Sequence, residues 1–233
     1  MTLKRPTPYF LPLLAIGAGS LLTMGLLSSV LRAVPAATTT TAQPAILPTT
    51  TMEVPQGKEI ATFAAGCFWS MEAIYENLKG VESVEPGYAG GHVAKPKYEQ
   101  VGTGSTGHAE AVHIVYDPKV ISYRDLLQVL IIMRDPTTLN RQGPDQGTNY
   151  RSVIFAHNAV QEKTAAEVIR EITAARVWQA PIVTPVTEFS NFYQAEDYHR
   201  DYYRRHPGYA YNRGVVAPKL QELKKKFPNH VKP

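Results

Sequence analysis

The sequence predicts an α+β domain, a two-layer sandwich in which helices pack on a mixed sheet. Short apolar strands and amphipathic helices alternate irregularly along residues 57–233, which is typical of α+β domains and not of doubly wound sheets. The composition supplies a core, because 44% of the 233 residues are apolar and 19% are charged. The charges, 24 Lys and Arg against 20 Asp and Glu, are interspersed and favour neither nucleic acid nor an acidic partner.

An apolar segment precedes this domain. Lys4 and Arg5 are followed by an uncharged stretch from Tyr9 to Leu31, which is 23 positions long. A bilayer-spanning helix needs about 20 apolar residues, so residues 1–33 predict a hydrophobic helix that acts as a transmembrane anchor. A cleaved signal peptide is the alternative. Both interpretations place the rest of the chain on the extracytoplasmic side of the membrane, either membrane-anchored or exported.

Residues 34–56 have a different composition, dominated by Thr, Pro and Ala. Such a segment cannot assemble a core, and it predicts a disordered linker with an extended bias. The folded domain is therefore expected to occupy residues 57–233.

The first elements of the domain follow from its hydrophobic pattern. Residues 59–64 form a short apolar run that predicts a strand, and Ala65 and Gly66 predict a turn after it. Apolar side chains then recur every three or four positions from Phe68 to Leu78, which predicts a helix that ends at Gly80. Two further strands are predicted at 81–88 and 110–116.

The later elements have clearer boundary signals. Ser122 and Asp125 have the spacing of a capping box, which predicts a helix that runs through Met133. Residues 135–149 lack periodicity, and a long loop of this kind often carries function. The remaining predictions are strands at 151–156 and 182–187 and helices at 159–175, 195–205 and 217–227.

Cys67 is the single cysteine of the chain. It excludes an intramolecular disulfide, a Cys-x-x-Cys pair and a zinc site built from several cysteines. Its position at a strand-to-helix turn places the thiol at a helix N-terminus, where unpaired N–H groups favour a thiolate and can lower a cysteine pKa to about 3.5–7.5. Position alone leaves two interpretations open, a nucleophile or an inert buried side chain.

The stretch from Gly66 to Trp69 resembles the active-site motif of the A-type peptide methionine sulfoxide reductases. The resemblance continues collinearly over almost all of residues 57–205, and the matching positions are 87–91, Tyr98, 106–112, 116–118, 141–143, 145–152 and 192–199. It implies an enzyme that reduces the S epimer of methionine sulfoxide in proteins and peptides, a repair reaction against oxidative stress.

The resemblance also implies roles for individual residues. Cys67 would attack the sulfoxide sulfur and become a sulfenic acid. Glu110 would supply the proton that makes the sulfoxide oxygen a better leaving group, a role that needs a carboxyl group with a raised pKa. Tyr98 and Tyr150 match phenols that bind the sulfoxide oxygen, and Asp145 matches a further polar residue of the same site.

Three more positions are implied to bind the substrate. Phe68 and Trp69 would line an apolar pocket for the methyl group, since sulfur compounds pack well on aromatic rings. His199 matches a histidine near the site, although a core or capping role is equally consistent with its sequence position.

The chain departs from the family pattern in three places. Ser70 replaces a common glycine, and Arg134 replaces a common histidine. The tail from Tyr209 to Pro233 has no resolving cysteine. The Cys67 sulfenic acid is therefore expected to react with an external thiol, such as thioredoxin, glutaredoxin with glutathione, or dithiothreitol. No metal or organic cofactor is required, and we expect a monomer whose partners are oxidised proteins and the thiol reductant.

Two rival functions are consistent with parts of the pattern. A cysteine hydrolase would need His108, His113 or His199 as a base beside Cys67. A catalytically inactive relative would bind oxidised Met-containing proteins without turnover. The His108-x-Glu110 spacing imitates half of a zinc deaminase motif, but the cysteines that complete such a site are absent from the sequence.

Overall fold

The structure is a computed structural model that describes residues 54–233. The predicted apolar segment at 1–33 and all but the last three residues of the predicted linker lie outside the described residues. Within residues 54–233, no helix combines the length and apolar character needed to cross a membrane.

The described part of the chain contains eight strands, which are numbered in chain order. They are β1 (Glu59–Ala65), β2 (Val81–Ala89), β3 (Ala109–Tyr116), β4 (Arg141–Gln142), β5 (Asp145–Gln146), β6 (Ser152–Ala156), β7 (Val186–Glu188) and β8 (Phe192–Gln194). Six of them form one sheet in the order β7-β6-β1-β3-β2-β8, while β4 and β5 form a separate hairpin. The β6-β7 pair is parallel and the other pairs are antiparallel, so the predicted mixed sheet is confirmed.

Between residues 54 and 233, six α-helices connect or follow the strands. They are α1 (Phe68–Glu76), α2 (Tyr98–Gly102), α3 (Tyr123–Met133), α4 (Ala159–Ala174), α5 (Tyr202–Arg205) and α6 (Ala217–Lys226). A π-helical turn at Asn212–Val216 leads into α6. The α+β class expected from the hydrophobic pattern is therefore confirmed.

The strand β1 shows how the core is divided. Ala61, Phe63 and Ala65 belong to the large apolar cluster that the sheet forms with α1, α3, α4 and α6. Ala64 faces the other way, into a smaller cluster around Phe155 and Phe192. This alternation follows from the period of two along a strand, and it leaves β1 buried on both faces at the centre of the sheet.

Two predictions near the end of the domain need correction. The strand predicted at 182–187 is shorter and later, at Val186–Glu188. The helix predicted at 195–205 is broken into a 3₁₀ turn at Asp197–His199 and the short helix α5. The break has a local cause, because Asp201 lies in the left-handed region with φ of 56° and cannot continue a right-handed helix. Both β8 and α2 were missed, since each is too short to show a period.

The cap of α3 yields a stability prediction. Ser122 Oγ accepts a hydrogen bond from Asp125 N at 3.1 Å, and Asp125 Oδ2 accepts one from Ser122 N at 3.0 Å. The Ser122→Ala substitution should lower the free energy of unfolding by about 1 kcal/mol, measured by urea-induced unfolding. Thr173→Ala, at an exposed position of α4, is the control and should change the free energy of unfolding by less than about 0.5 kcal/mol. Equal effects of the two substitutions would show that the cap is not what stabilises α3.

Candidate active site

The turn from β1 into α1 positions the thiol. Gly66 adopts φ of +85°, and a Cβ at this position would overlap the side chains of Arg134 and Gln142. A glycine is therefore needed at position 66 both for the left-handed backbone and for the close approach of other chain segments. Cys67 is the N-cap of α1, and its carbonyl oxygen accepts hydrogen bonds from Ser70 N at 3.2 Å and Met71 N at 3.3 Å. Only 7% of Cys67 is exposed.

Glu110 lies on β3, directly opposite this turn. Its Oε2 accepts a hydrogen bond from the backbone N–H of Phe68 at 3.1 Å, which ties the first turn of α1 to the sheet. Burial raises the pKa of Glu110 to about 8, the Phe68 amide opposes the rise, and the charge of Asp145 adds to it. At neutral pH the carboxyl group is therefore mainly protonated and able to donate a proton.

The thiol itself is held in its neutral form. Burial raises the pKa of Cys67 well above its usual range, and the nearby Glu110 carboxylate raises it further. The Trp69 backbone amide and the Tyr211 hydroxyl act in the opposite direction, but they do not outweigh burial. The structure thus differs from the expectation of a lowered Cys67 pKa, because the desolvation of a buried thiolate destabilises it more than the helix N-terminus stabilises it.

The structure brings the predicted phenols to the same place. Burial raises the pKa of both Tyr98 and Tyr150, and Glu110 and Cys67 are among the charges that add to the rise. The two hydroxyl groups are therefore neutral, and they lie near enough to the thiol and the carboxyl group to interact with their charges. Asp145, on the β4-β5 hairpin, also faces Cys67, and its Oδ2 accepts a hydrogen bond from the Tyr211 hydroxyl at 2.7 Å.

An aromatic wall adjoins the thiol. The ring of Phe68 lies 6.3 Å from that of Tyr98 and 4.9 Å from that of His199, measured between centroids. Trp69 stacks on Tyr202 with a centroid distance of 3.7 Å and an interplanar angle of 5°. Phe68 is buried, whereas Trp69 is half-buried, so the wall has an accessible edge.

His199 supports this wall from behind. Its Nδ1 accepts a hydrogen bond from Trp69 Nε1 at 3.0 Å, so the ring proton lies on Nε2. The residue is fully buried, and burial lowers its pKa to about 4, so the ring is neutral at physiological pH. The structure therefore shows His199 as an anchor for the indole of Trp69; its predicted contact with substrate stays a prediction.

Sequence reasoning missed several residues at the site. Tyr211 reaches Asp145 and Cys67, while Tyr202 and Tyr209 pack against Trp69, with a 6.2 Å centroid distance for Tyr209. All three follow the last motif that carries the resemblance. The available signal was the density of tyrosines between 193 and 211, which is unusual for a surface segment.

A cysteine that faces a protonated carboxyl group defines a class of protein, the cysteine-dependent enzymes that protonate the substrate during nucleophilic attack. Comparison with known proteins then identifies the family. The family model described as peptide methionine sulfoxide reductase matches residues 59–231. The chain belongs to that family, as the sequence motifs predicted.

Individual relatives agree with this assignment. The chain is 49% identical over 175 residues to a peptide methionine sulfoxide reductase MsrA of Polynucleobacter asymbioticus, covering 75% of this chain and 92% of the relative. It is 51% identical over 174 residues to an MsrA of Saccharolobus solfataricus, covering 75% and 97%. Among solved structures, reduced Mxr1 from Saccharomyces cerevisiae is 37% identical with a TM-score of 0.65, covering 70% of this chain and 95% of that one. Methionine sulfoxide reductase A of Corynebacterium diphtheriae is 32% identical with a TM-score of 0.61, covering 66% and 78%.

The repulsion between the ionised forms of Cys67 and Glu110 leads to a prediction about thiol reactivity. At pH 9 the Glu110 carboxylate is ionised and disfavours the thiolate, so Glu110→Gln should speed alkylation of Cys67 by iodoacetamide about fivefold. The difference should vanish at pH 6, where Glu110 is already neutral. Glu72→Gln is a matched control, because Glu72 is also buried with a pKa raised to about 8, yet it is not among the charges that act on Cys67. Slower alkylation of the Glu110 variant at pH 9 would contradict the assigned electrostatics.

Proposed function

We propose that this chain reduces the S epimer of methionine sulfoxide in proteins and peptides, with Cys67 as the nucleophile and Glu110 as the proton donor. The observation that carries the proposal is the pairing of the two groups across the β1-α1 turn, with the Phe68 amide hydrogen-bonded to Glu110 at 3.1 Å. Membership of the family supports the reaction. The selectivity for the S epimer rests on the resemblance of the motifs.

The first step moves one oxygen atom from substrate to enzyme. Sγ of Cys67 attacks the sulfoxide sulfur while Glu110 protonates the sulfoxide oxygen, and the thiol proton replaces the one that Glu110 gives up. The attack forms an Sγ–S bond, and the S–O bond of the substrate then breaks with loss of hydroxide. The hydroxide attacks Sγ, the Sγ–S bond breaks, methionine leaves, and Cys67 holds the oxygen as a sulfenic acid. Sulfur in the substrate is reduced and Sγ is oxidised by the same two electrons, so no further oxidant or reductant enters this step.

The remaining groups suit the binding of a methyl sulfoxide. The neutral hydroxyls of Tyr98 and Tyr150 are donors that can bind the sulfoxide oxygen as negative charge develops on it. Phe68 and Trp69 supply aromatic faces for the methyl group. His199 acts indirectly, by fixing the indole of Trp69 through the hydrogen bond between their ring nitrogens.

The second half of the cycle needs external thiols. One thiol condenses with the sulfenic acid, releases water and forms a mixed disulfide, and a second thiol then releases the Cys67 thiol and leaves with the first as a disulfide. The chain has one cysteine and so cannot form an internal disulfide. We propose thioredoxin, or glutaredoxin with glutathione, as the reductant class. If residues 1–33 export the domain, as predicted, the reductant must act on that side of the membrane.

A hydrolase is not favoured by the site. His108 accepts a hydrogen bond from Gly91 N at 3.0 Å and its Nε2 lies 2.8 Å from Val93 O. His113 is hydrogen-bonded to Thr62 at 2.8 Å, and His199 to Trp69. Each of the three candidate bases is thus hydrogen-bonded to a group other than the thiol.

The decisive experiment follows each epimer of a methionine sulfoxide peptide by chromatography, with dithiothreitol as reductant. The S epimer alone should be consumed, Cys67→Ser should abolish the reaction, and Glu110→Gln should slow it about 100-fold or more. Glu72→Gln serves again as the matched control and should retain activity. Binding of the peptide without turnover by the unaltered protein would support the inactive binding module instead.

The protonation state of Glu110 predicts the pH dependence of the reaction. A proton donor works only in its acid form, and the pKa of Glu110 is about 8. The rate of sulfoxide reduction, measured under single-turnover conditions to exclude the reductant, should therefore fall as the pH rises through about 8. A rate that keeps rising to pH 10 would show that Glu110 is not the acid.

A further inference from the structure

A buried arginine, Arg134, packs against the turn that carries Cys67. Arg134 follows α3 directly, and only 3% of it is exposed. Its Nε donates to Ala65 O at 2.7 Å and its Nη1 donates to Ser70 Oγ at 2.9 Å. Its Nη2 lies so close to Gly66 that a Cβ there would overlap it. The guanidinium thus contacts the chain before, at and after the turn that carries Cys67.

This cation has no carboxylate counter-ion within residues 54–233 at a distance of 4.0 Å or less. The carbonyl oxygen of Ala65 and the C-terminus of α3 offset part of its charge, because both present negative dipole ends. Burying an unpaired charge remains costly. The groups that face it and can carry negative charge are Tyr211, Cys67, Asp145 and Tyr75.

We propose that Arg134, held by Ser70, is a fixed counter-charge for the Cys67 thiolate. This inference rests on the proposed function, in which Cys67 needs anionic character twice. It is the nucleophile toward the sulfoxide, and it is the leaving group when the second external thiol breaks the mixed disulfide. Arg134 acts through the turn and not on the substrate, so it is a positioning residue for charge.

The proposal also explains two departures from the family pattern together. Ser70 stands where a glycine is common and Arg134 where a histidine is common, and the structure joins the two side chains by a hydrogen bond. Glycine has no hydroxyl to accept this bond. Histidine is shorter and largely neutral at pH 7, whereas arginine stays charged. The two departures therefore form one unit that adds a permanent positive charge beneath the thiol.

Other groups around the thiol also affect the pKa of Cys67. Glu110 on β3 and Asp145 on β5 disfavour the thiolate, while Tyr211 favours it. Tyr98 and Tyr150 are neutral neighbours over the pH range of interest. Cys67 is among the groups whose negative charge raises the pKa of Arg134, so the two side chains interact electrostatically. Removal of the cation should therefore shift the thiol titration upward.

The test uses the full chain, in which Cys67 is the single cysteine and every thiol signal reports on it. The rate of alkylation by iodoacetamide is measured against pH for Arg134→Met, Arg134→Lys and the unaltered protein. Arg134→Met should alkylate about tenfold more slowly at pH 9, with its profile shifted upward by about one pH unit. Arg134→Lys keeps the charge and should restore most of the rate. Arg124→Met, at the other end of α3, is the matched control and should have no effect.

Catalysis supplies a second readout. Arg134→Met should lower kcat for sulfoxide reduction about tenfold while KM changes less than twofold, since the substrate is not contacted. Should this variant fail to fold by circular dichroism, Ser70→Gly releases the guanidinium without removing the charge and should give a smaller upward shift of the same profile. An unchanged alkylation profile in a folded Arg134→Met variant, or in Ser70→Gly where Arg134→Met is unfolded, overturns the proposal. Alkylation needs no sulfoxide, so the two proposals can fail separately. If the unaltered protein lacks reductase activity but Arg134→Met still shifts the alkylation profile upward, the proposed function is refuted and the counter-charge role of Arg134 stands.

Discussion

The hydrogen bond from the Phe68 backbone amide to Glu110 is the interaction on which the site depends. It joins the first turn of α1 to the middle of the sheet, and it fixes the distance between the nucleophile turn and the carboxyl group. The turn itself exists only because Gly66 accepts a left-handed backbone and leaves room for Arg134. A small displacement of either partner would separate the thiol from the carboxyl group proposed to protonate the substrate, and proximity of this kind supplies a large part of enzymatic rate.

Burial decides the resting charge of the site. Cys67 and Glu110 are both shielded from water, and burial raises the pKa of each. The charge of Glu110 raises the pKa of Cys67 further, and the charge of Asp145 does the same for Glu110, so both groups are neutral before substrate binds. A neutral pair holds two protons, one of which the sulfoxide oxygen needs. Water exclusion therefore favours the acid form of Glu110 at the expense of the Cys67 thiolate, and the Trp69 amide and the Tyr211 hydroxyl offset part of that expense.

Local signals in the sequence predicted much of this architecture, and they failed where the cause is tertiary. The Ser122 capping box and the periodicity after Phe68 correctly placed α3 and α1, because both depend on neighbours in the chain. Strand β8 was missed, since its three residues pair with β2 and have no pattern of their own. The helix predicted at 195–205 failed because Asp201 takes a left-handed conformation. Tyr211 escaped notice for a similar reason, as only folding brings it to Asp145.

The sequence by itself determined the fold class, the position of Cys67 at a strand-to-helix turn and the family, because hydrophobic period, turn residues and collinear motifs are all properties of neighbouring residues. Only the tertiary structure decided the protonation states of the thiol and of Glu110, the role of His199 as an anchor for Trp69, and the encirclement of the turn by Arg134. These depend on burial and on distances between segments up to 130 positions apart, as in the bond between Trp69 and His199. The pKa of a side chain depends on its burial and on nearby charges and hydrogen bonds, which the residue type alone does not specify.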